Sequence, residues 1–137
     1  MAQVIDASVA VAWCAERQAT PLTEAALEAV AATGGYVPSI FWFAVLHVLT
    51  GLAVRRIIPR ELIDEFAAEI AQFKPLIDPA YQTDKVVELY RLARLHRLNI
   101  YDASYLELAL RTGFPLATRD RSLARASSRA GVRLFKA

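Results

Sequence analysis

Gln3-Val4-Ile5-Asp6-Ala7-Ser8-Val9-Ala10-Val11-Ala12 decides how the rest of the chain is read. A short β-prone run passes, through one aspartate, into an apolar, alanine-rich segment that suits a helix as far as Glu16. The same alternation of strand and helix recurs downstream. Thr20-Pro21 opens a helix over Leu22 to Ala32 that Gly34-Gly35 closes, and Tyr36-Val37 reads as a second strand. Pro38 or Ser39 starts a long helix to about Arg56. Another runs from Pro59 to about Phe73, with Leu62, Phe66 and Ile70 spaced by four, so the two form a helical hairpin. Lys74-Pro75 breaks the pattern before the apolar pair Leu76-Ile77. Tyr81 to Leu98 is expected to be helical, burying Val86, Leu89, Tyr90 and Ala93. The next helix begins at Asp102, buries Ala103, Leu106, Ala109 and Leu110, and stops at Gly113. Phe114 to Thr118 reads as a strand, Arg119 to Arg129 as a short helix and Val132 to Phe135 as a last strand. Short strands alternating with helices predict an α/β fold with a parallel sheet covered on both faces.

The length of 137 residues, 55% of them apolar, matches one ordinary domain with enough side chain for a real core. A charged fraction of 22%, with only 5 Gly and 6 Pro, excludes disordered, collagen-like and low-complexity chains. Cys14 is the sole cysteine, which excludes a disulfide framework or a cysteine zinc cluster and suits a reducing cytoplasm. Its apolar helical setting beside Trp13 marks it as core filler. Residues 29–54 carry no Asp, Glu, Lys or Arg, yet Gly34, Gly35, Pro38, His47 and Thr50 interrupt them, so a buried helix is expected and no membrane span. Asp6 within the first apolar run argues against a secretory signal. The net charge of +2 hides an asymmetry: residues 1–90 hold six Lys/Arg against eleven Asp/Glu, and residues 91–137 hold ten against three. A basic final third can accompany a polyanionic partner such as nucleic acid.

In a parallel α/β sheet, ligands gather at the carboxyl ends of the strands. Three aspartates are candidates for that edge: Asp6 after the first strand, Asp120 after the strand ending in Thr118, and Asp102 at a helix start. Each, alone, is explained by N-capping. Together in one crevice they would raise one another's pKa values unless a cation were present, and Mg²⁺ or Mn²⁺ prefers such oxygen ligands. Ser8 and Thr118, each two residues from an aspartate, are placed to hold a carboxylate or a water, or simply to cap a turn.

Val4-Ile5-Asp6-Ala7-Ser8-Val9, Val37-Pro38-Ser39-Ile40-Phe41-Trp42, Tyr101-Asp102-Ala103 and Leu116-Ala117-Thr118-Arg119-Asp120 resemble, in order and spacing, the PIN-domain family. Over its whole length the chain looks like a VapC-type toxin of a bacterial toxin–antitoxin pair. The resemblance implies one PIN-like domain over residues 1–137, a three-layer α/β/α sandwich, and RNA cleavage that depends on Mg²⁺ or Mn²⁺. It implies Asp6, Asp102 and Asp120 as metal-binding and catalytic acids, with Thr118 as the accompanying hydroxyl. It also implies a homodimer and a small antitoxin whose tail follows the hairpin groove to the acidic site.

One position departs from the pattern: Ala44 stands where similar toxins have glutamate. Two accounts fit, a substitution that silences a toxic nuclease or a natural variant with reduced or lost activity, and either predicts weaker metal binding and poor cleavage. His47, one turn on, is expected to pack or to meet a partner. Arg121, Arg125 and Arg129 recur every four residues, forming either a solvated face or an RNA-phosphate stripe, and Arg91, Arg94 and Arg97 make a similar row. Phe41, Trp42 and Phe43 are consecutive, so at least one faces away from the core, toward a partner. Two other classes remain: a non-enzymatic module that binds antitoxin or RNA, and a phosphoryl-receiving α/β domain. The latter needs an adjacent acidic pair near the first strand, which is not present, and a lysine near the last, where Lys136 is too close to the terminus to serve.

Overall fold

β1 (Gln3–Ile5) is an inner strand of a four-stranded parallel sheet, and all three of its residues are buried, as a strand covered on both faces requires. In the computed structural model, which describes residues 2–15, 19–79 and 83–136, the strand order is β3-β2-β1-β4. Val4 is in register with Tyr36 of β2 (Gly35–Val37) and with Leu116 of β4 (Leu116–Ala117). Tyr36 is in turn in register with Leu76 of β3 (Leu76–Ile77). The expected fifth strand shrinks to a single parallel bridge between Leu134 and Leu116.

α1 (Ala7–Cys14) and α2 (Pro21–Thr33) connect β1 to β2, and α3 (Phe41–Val54) and α4 (Ile63–Ala71) connect β2 to β3. α5 (Thr83–His96) and α6 (Ile100–Thr112) carry the chain back across the sheet to β4, and α7 (Arg121–Arg129) follows. Crossovers between parallel strands are right-handed, so reversing direction along the sheet moves the connecting helices to the opposite face. The packing agrees: α1 contacts α2, α3 and α4, whereas α6 contacts α5 and α7. The result is the expected three-layer sandwich. Its core joins Val4 and Ile5 of the sheet to Phe41 and Leu49 of α3, Leu106 and Leu108 of α6 and Leu123 of α7.

The uncharged segment becomes α3, which buries Phe41, Val45, Leu49 and Leu52 along one face. No described helix is long and apolar enough to cross a membrane. Cys14 is half-buried, donates to the Val11 carbonyl at 3.3 Å, and has its thiol pushed up to about 11 by burial and then by Glu69, as befits an unreactive packing residue.

Several expected boundaries move. α1 ends at Cys14, and Glu16 lies outside the described residues, as does Tyr81. α5 buries Leu89 and Ala93 but leaves Val86 and Tyr90 more than half exposed, because α5 packs chiefly on α6 and has one narrow buried stripe. α6 begins at Ile100, not Asp102, because Asn99 caps it, and Gly113 ends it with φ 75°, a left-handed conformation that glycine adopts without strain. Leu110 of the same helix, expected to be buried, is 42% exposed.

Candidate active site

The chain leaves β1 toward β2 but enters β4 from the other side, so the carboxyl ends of these adjacent strands mark the sheet's topological switch point. Asp6 and Thr118 stand there. Asp6 N-caps α1: its Oδ1 accepts from the Val9 N–H at 3.1 Å and from the Ser8 hydroxyl at 2.6 Å, while Oδ2 accepts from the Thr118 hydroxyl. Thr118 Oγ1 also accepts from the Asp120 N–H at 3.0 Å, and the Ser8 hydroxyl accepts from the Arg119 N–H at 3.3 Å. Two loops from separate strands are thus laced around one buried carboxylate. Asp120 N-caps α7 through the Leu123 N–H at 3.0 Å.

Capping and site-building therefore coincide at Asp6 and Asp120. Asp102 differs, since it sits in the first turn of α6 and the cap is Asn99. Asn99 Oδ1 accepts from the Asp102 N–H at 2.8 Å, and its amide donates to Asp102 Oδ2 at 3.2 Å. That pair orients the Asp102 carboxylate. Asn99 was not foreseen as a site residue, although an asparagine three positions before a helical aspartate is a recognisable cap signature.

All three aspartates line one cavity of about 540 Å³, together with Ser8, Phe43, Ala44, His47, Asn99, Tyr101 and Tyr105. Among the described residues, no lysine or arginine contributes to its wall. The electrostatics register the crowding. Burial raises the pKa of Asp6, the hydrogen bonds from Ser8, Thr118 and Val9 oppose that, and the Asp120 charge adds to it. Asp102 is pushed up to about 6 by burial, then by the charges of Asp120 and Asp6.

A hard divalent cation fits this donor set in chemistry: clustered carboxylates, neighbouring hydroxyls and no lysine or arginine among the described lining residues. Among the described residues no three His, Cys, Asp or Glu side chains close up into a complete ligand group. An ion that keeps several waters and takes one or two carboxylates is therefore better matched than one needing an all-protein cage.

Ala44 is half-buried and lines the same cavity as the three aspartates. His47 is exposed on the same wall and not packed in the core. Of the aromatic triplet, Phe41 is fully buried, Trp42 packs edge-on against it with centroids 5.3 Å apart, and Phe43 is 76% exposed at the cleft. Arg121, Arg125 and Arg129 share the solvent side of α7, directly after Asp120. The second arginine row is broken: Arg91 meets Glu88 at 3.8 Å, Arg94 lies over the Tyr90 ring, and Arg97 falls beyond α5 with φ 54°.

A larger open depression of about 910 Å³ lies at the α3–α4 corner, lined by Arg56, Arg60 and Glu61 among apolar residues, and holds none of the aspartates. Size alone does not locate chemistry, and the acidic cleft at the switch point is the better candidate.

A model of the PIN domain matches residues 4–128 of the chain. No curated protein gives a significant match. Among solved structures, the crystal structure of PAE2754 from Pyrobaculum aerophilum is similar with a TM-score of 0.68 at 19% identity, covering 93% of this chain and 85% of that one. At that identity the likeness concerns the fold.

Proposed function

The chain belongs to the PIN domain family, whose members are generally nucleases, and from that premise we propose that it is a metal-dependent ribonuclease toxin of the VapC type, impaired by Ala44. One observation supports this most: three carboxylates from three separate segments line a single cleft at the switch point, with no lysine or arginine among the described lining residues to neutralise them. Asp6, Asp102 and Asp120 would hold Mg²⁺ or Mn²⁺, which supplies charge neutralisation at the phosphate and a more acidic water.

The chain's own residues do the rest. Ser8 and Thr118 fix the Asp6 carboxylate and favour its ionised form, and Asn99 aims Asp102. Thr118 also ties the Asp6 and Asp120 loops together, so the acids keep their spacing as substrate enters. Arg121 and Arg125, at the first turns of α7, are placed to take RNA phosphates beside the acids. Exposed Phe43 and Tyr101 at the cleft edge offer ring faces to unstacked bases, which favours single-stranded RNA. In-line hydrolysis by water requires no covalent intermediate on the protein.

Solvent-facing Phe43, Leu46 and Val54 on α3 support a protein partner, which this reading identifies as a small antitoxin, with a homodimer as the toxin's own state and the cytoplasm as its compartment. A second reading, a PIN-fold module that binds antitoxin or RNA without turnover, is favoured by Ala44 and by the incomplete ligand group. RNA cleavage with Mn²⁺ separates the two when this chain, Ala44→Glu, and Ala44→Glu with Asp6→Asn are compared. Activity that rises in the second and is lost in the third identifies an enzyme. No gain in a folded Ala44→Glu removes glutamate loss as the cause of impairment.

A further inference from the structure

His47 is exposed on α3 and lines the acidic cleft, one turn after Phe43 on the same face of the helix. Its imidazole makes no hydrogen bond or ion pair among the described residues. Asn99 is the other described lining residue with a side-chain nitrogen, and both ends of its amide are committed to Asp102. The Ser8 hydroxyl is likewise committed to Asp6. An imidazole offers both a donor and an acceptor nitrogen, so His47 is a solvent-reachable hydrogen-bonding group that the fold itself leaves unused.

The rings beside it indicate what such a group would meet. Phe43 is largely exposed at the cleft, and Tyr101, more than half exposed, lines it from the first turn of α6. Exposed rings of this kind stack flat, unsaturated groups, and every nucleobase has a face that suits them. A base lying on the Phe43 ring carries its own donors and acceptors around its edge. That edge extends along the helix face, where His47 follows one turn on. The phosphates are assigned to Arg121 and Arg125 on α7, so backbone and base are held by different elements.

We propose that His47 is a specificity-determining residue, whose imidazole hydrogen-bonds the edge of an RNA base stacked on Phe43 and makes the cleft prefer some bases over others. The assignment rests on the ribonuclease reading and adds base selection to it.

The test titrates the full chain, with Mn²⁺ present, against short labelled single-stranded homopolymers of A, C and U, and measures Mn²⁺ binding separately without RNA. The unsubstituted chain should separate its best from its worst homopolymer by about fivefold, the scale of one hydrogen bond made or left unmade. His47→Phe keeps a ring and removes the nitrogens, and should bring the affinities to within about twofold of one another with Mn²⁺ binding unchanged. Phe43→Ala should weaken binding to every homopolymer by about tenfold, the usual loss for one stacked base. Both side chains are exposed, so an unchanged thermal unfolding midpoint is expected for each variant. Discrimination that persists in His47→Phe overturns the proposal, as does a Phe43→Ala variant that binds every homopolymer as before. A fall in Mn²⁺ affinity in His47→Phe identifies a metal ligand instead and overturns it too. If the unsubstituted chain binds all homopolymers equally, base selection is refuted and the ribonuclease reading survives. If it binds none, both fail.

Discussion

Replacing Asp102 by Asn should make the metal-free protein more stable, although it removes a residue placed in the site. The Asp102 carboxyl is pushed from 3.8 up to about 6 by burial and by the charges of Asp120 and Asp6. A shift of that size corresponds to about 3 kcal/mol at most. Because the group is half-exposed and screened by solvent, about 1 kcal/mol is the better expectation near pH 7.5. For a domain of this size that is about 3–5 °C in the unfolding midpoint. The sign follows from proton binding. The folded state holds this proton more tightly than the unfolded chain, so stability from this group falls as pH rises from 3.8 through about 6. The advantage of Asp102→Asn should therefore be largest at pH 7.5 and shrink steadily as pH is lowered toward 4. Added Mn²⁺ should stabilise the unsubstituted chain more than the variant, since a ligand favouring the folded state acts by mass action. Urea or thermal unfolding across pH, with and without Mn²⁺, measures all of this. A variant that is less stable at pH 7.5, or whose pH dependence parallels the parent's, would refute the idea that burial and the neighbouring carboxylates penalise ionised Asp102.

Thr118→Val should cost about 2 kcal/mol in urea unfolding, because both the buried Asp6 carboxylate and the Asp120 N–H lose a partner, and Mn²⁺ affinity should fall with it. Arg121→Ala with Arg125→Ala should weaken binding to single-stranded RNA and flatten its salt dependence by about 1.4 in logarithmic slope, and an unchanged slope would leave the α7 stripe as plain surface. Arg111→Met should destabilise by about 2 kcal/mol, since Arg111 clasps Asp78 at 2.6 Å and Glu107 at 2.8 Å and its loss takes the ion-pair partner from a buried glutamate, whereas RNA affinity should hold.

The strand–helix alternation was legible because β1, β2 and β4 are apolar runs bounded by Asp6, Pro38 and Thr118, and parallel strands buried on both faces have no alternating polar signal to lose. The edges were less so. Val132 to Phe135 has the composition of a strand, but only Leu134 is bridged to β4. Val86 and Tyr90 have helical spacing with Leu89 and Ala93, yet periodicity does not tell how wide a stripe the neighbouring helix will cover, and here α6 is the main cover. The approach of Asp6 to Asp120 could be expected from the strand ends, whereas the places of Asp102, Asn99 and Tyr105 depend on helix phase. A one-residue shift in where α6 starts changes which residue caps it and which faces the cleft. Arg111, from the far end of α6, reaches Asp78 after β3, a pairing across 33 positions that no local pattern announces.

Anomalous diffraction from crystals grown with Mn²⁺ addresses the acidic cleft most directly. A peak bordered by Asp6, Asp102 and Asp120, lost in Asp6→Asn crystals, is the expected result. An empty cleft at saturating Mn²⁺, or a peak held by residues elsewhere on the surface, would contradict the proposed metal centre.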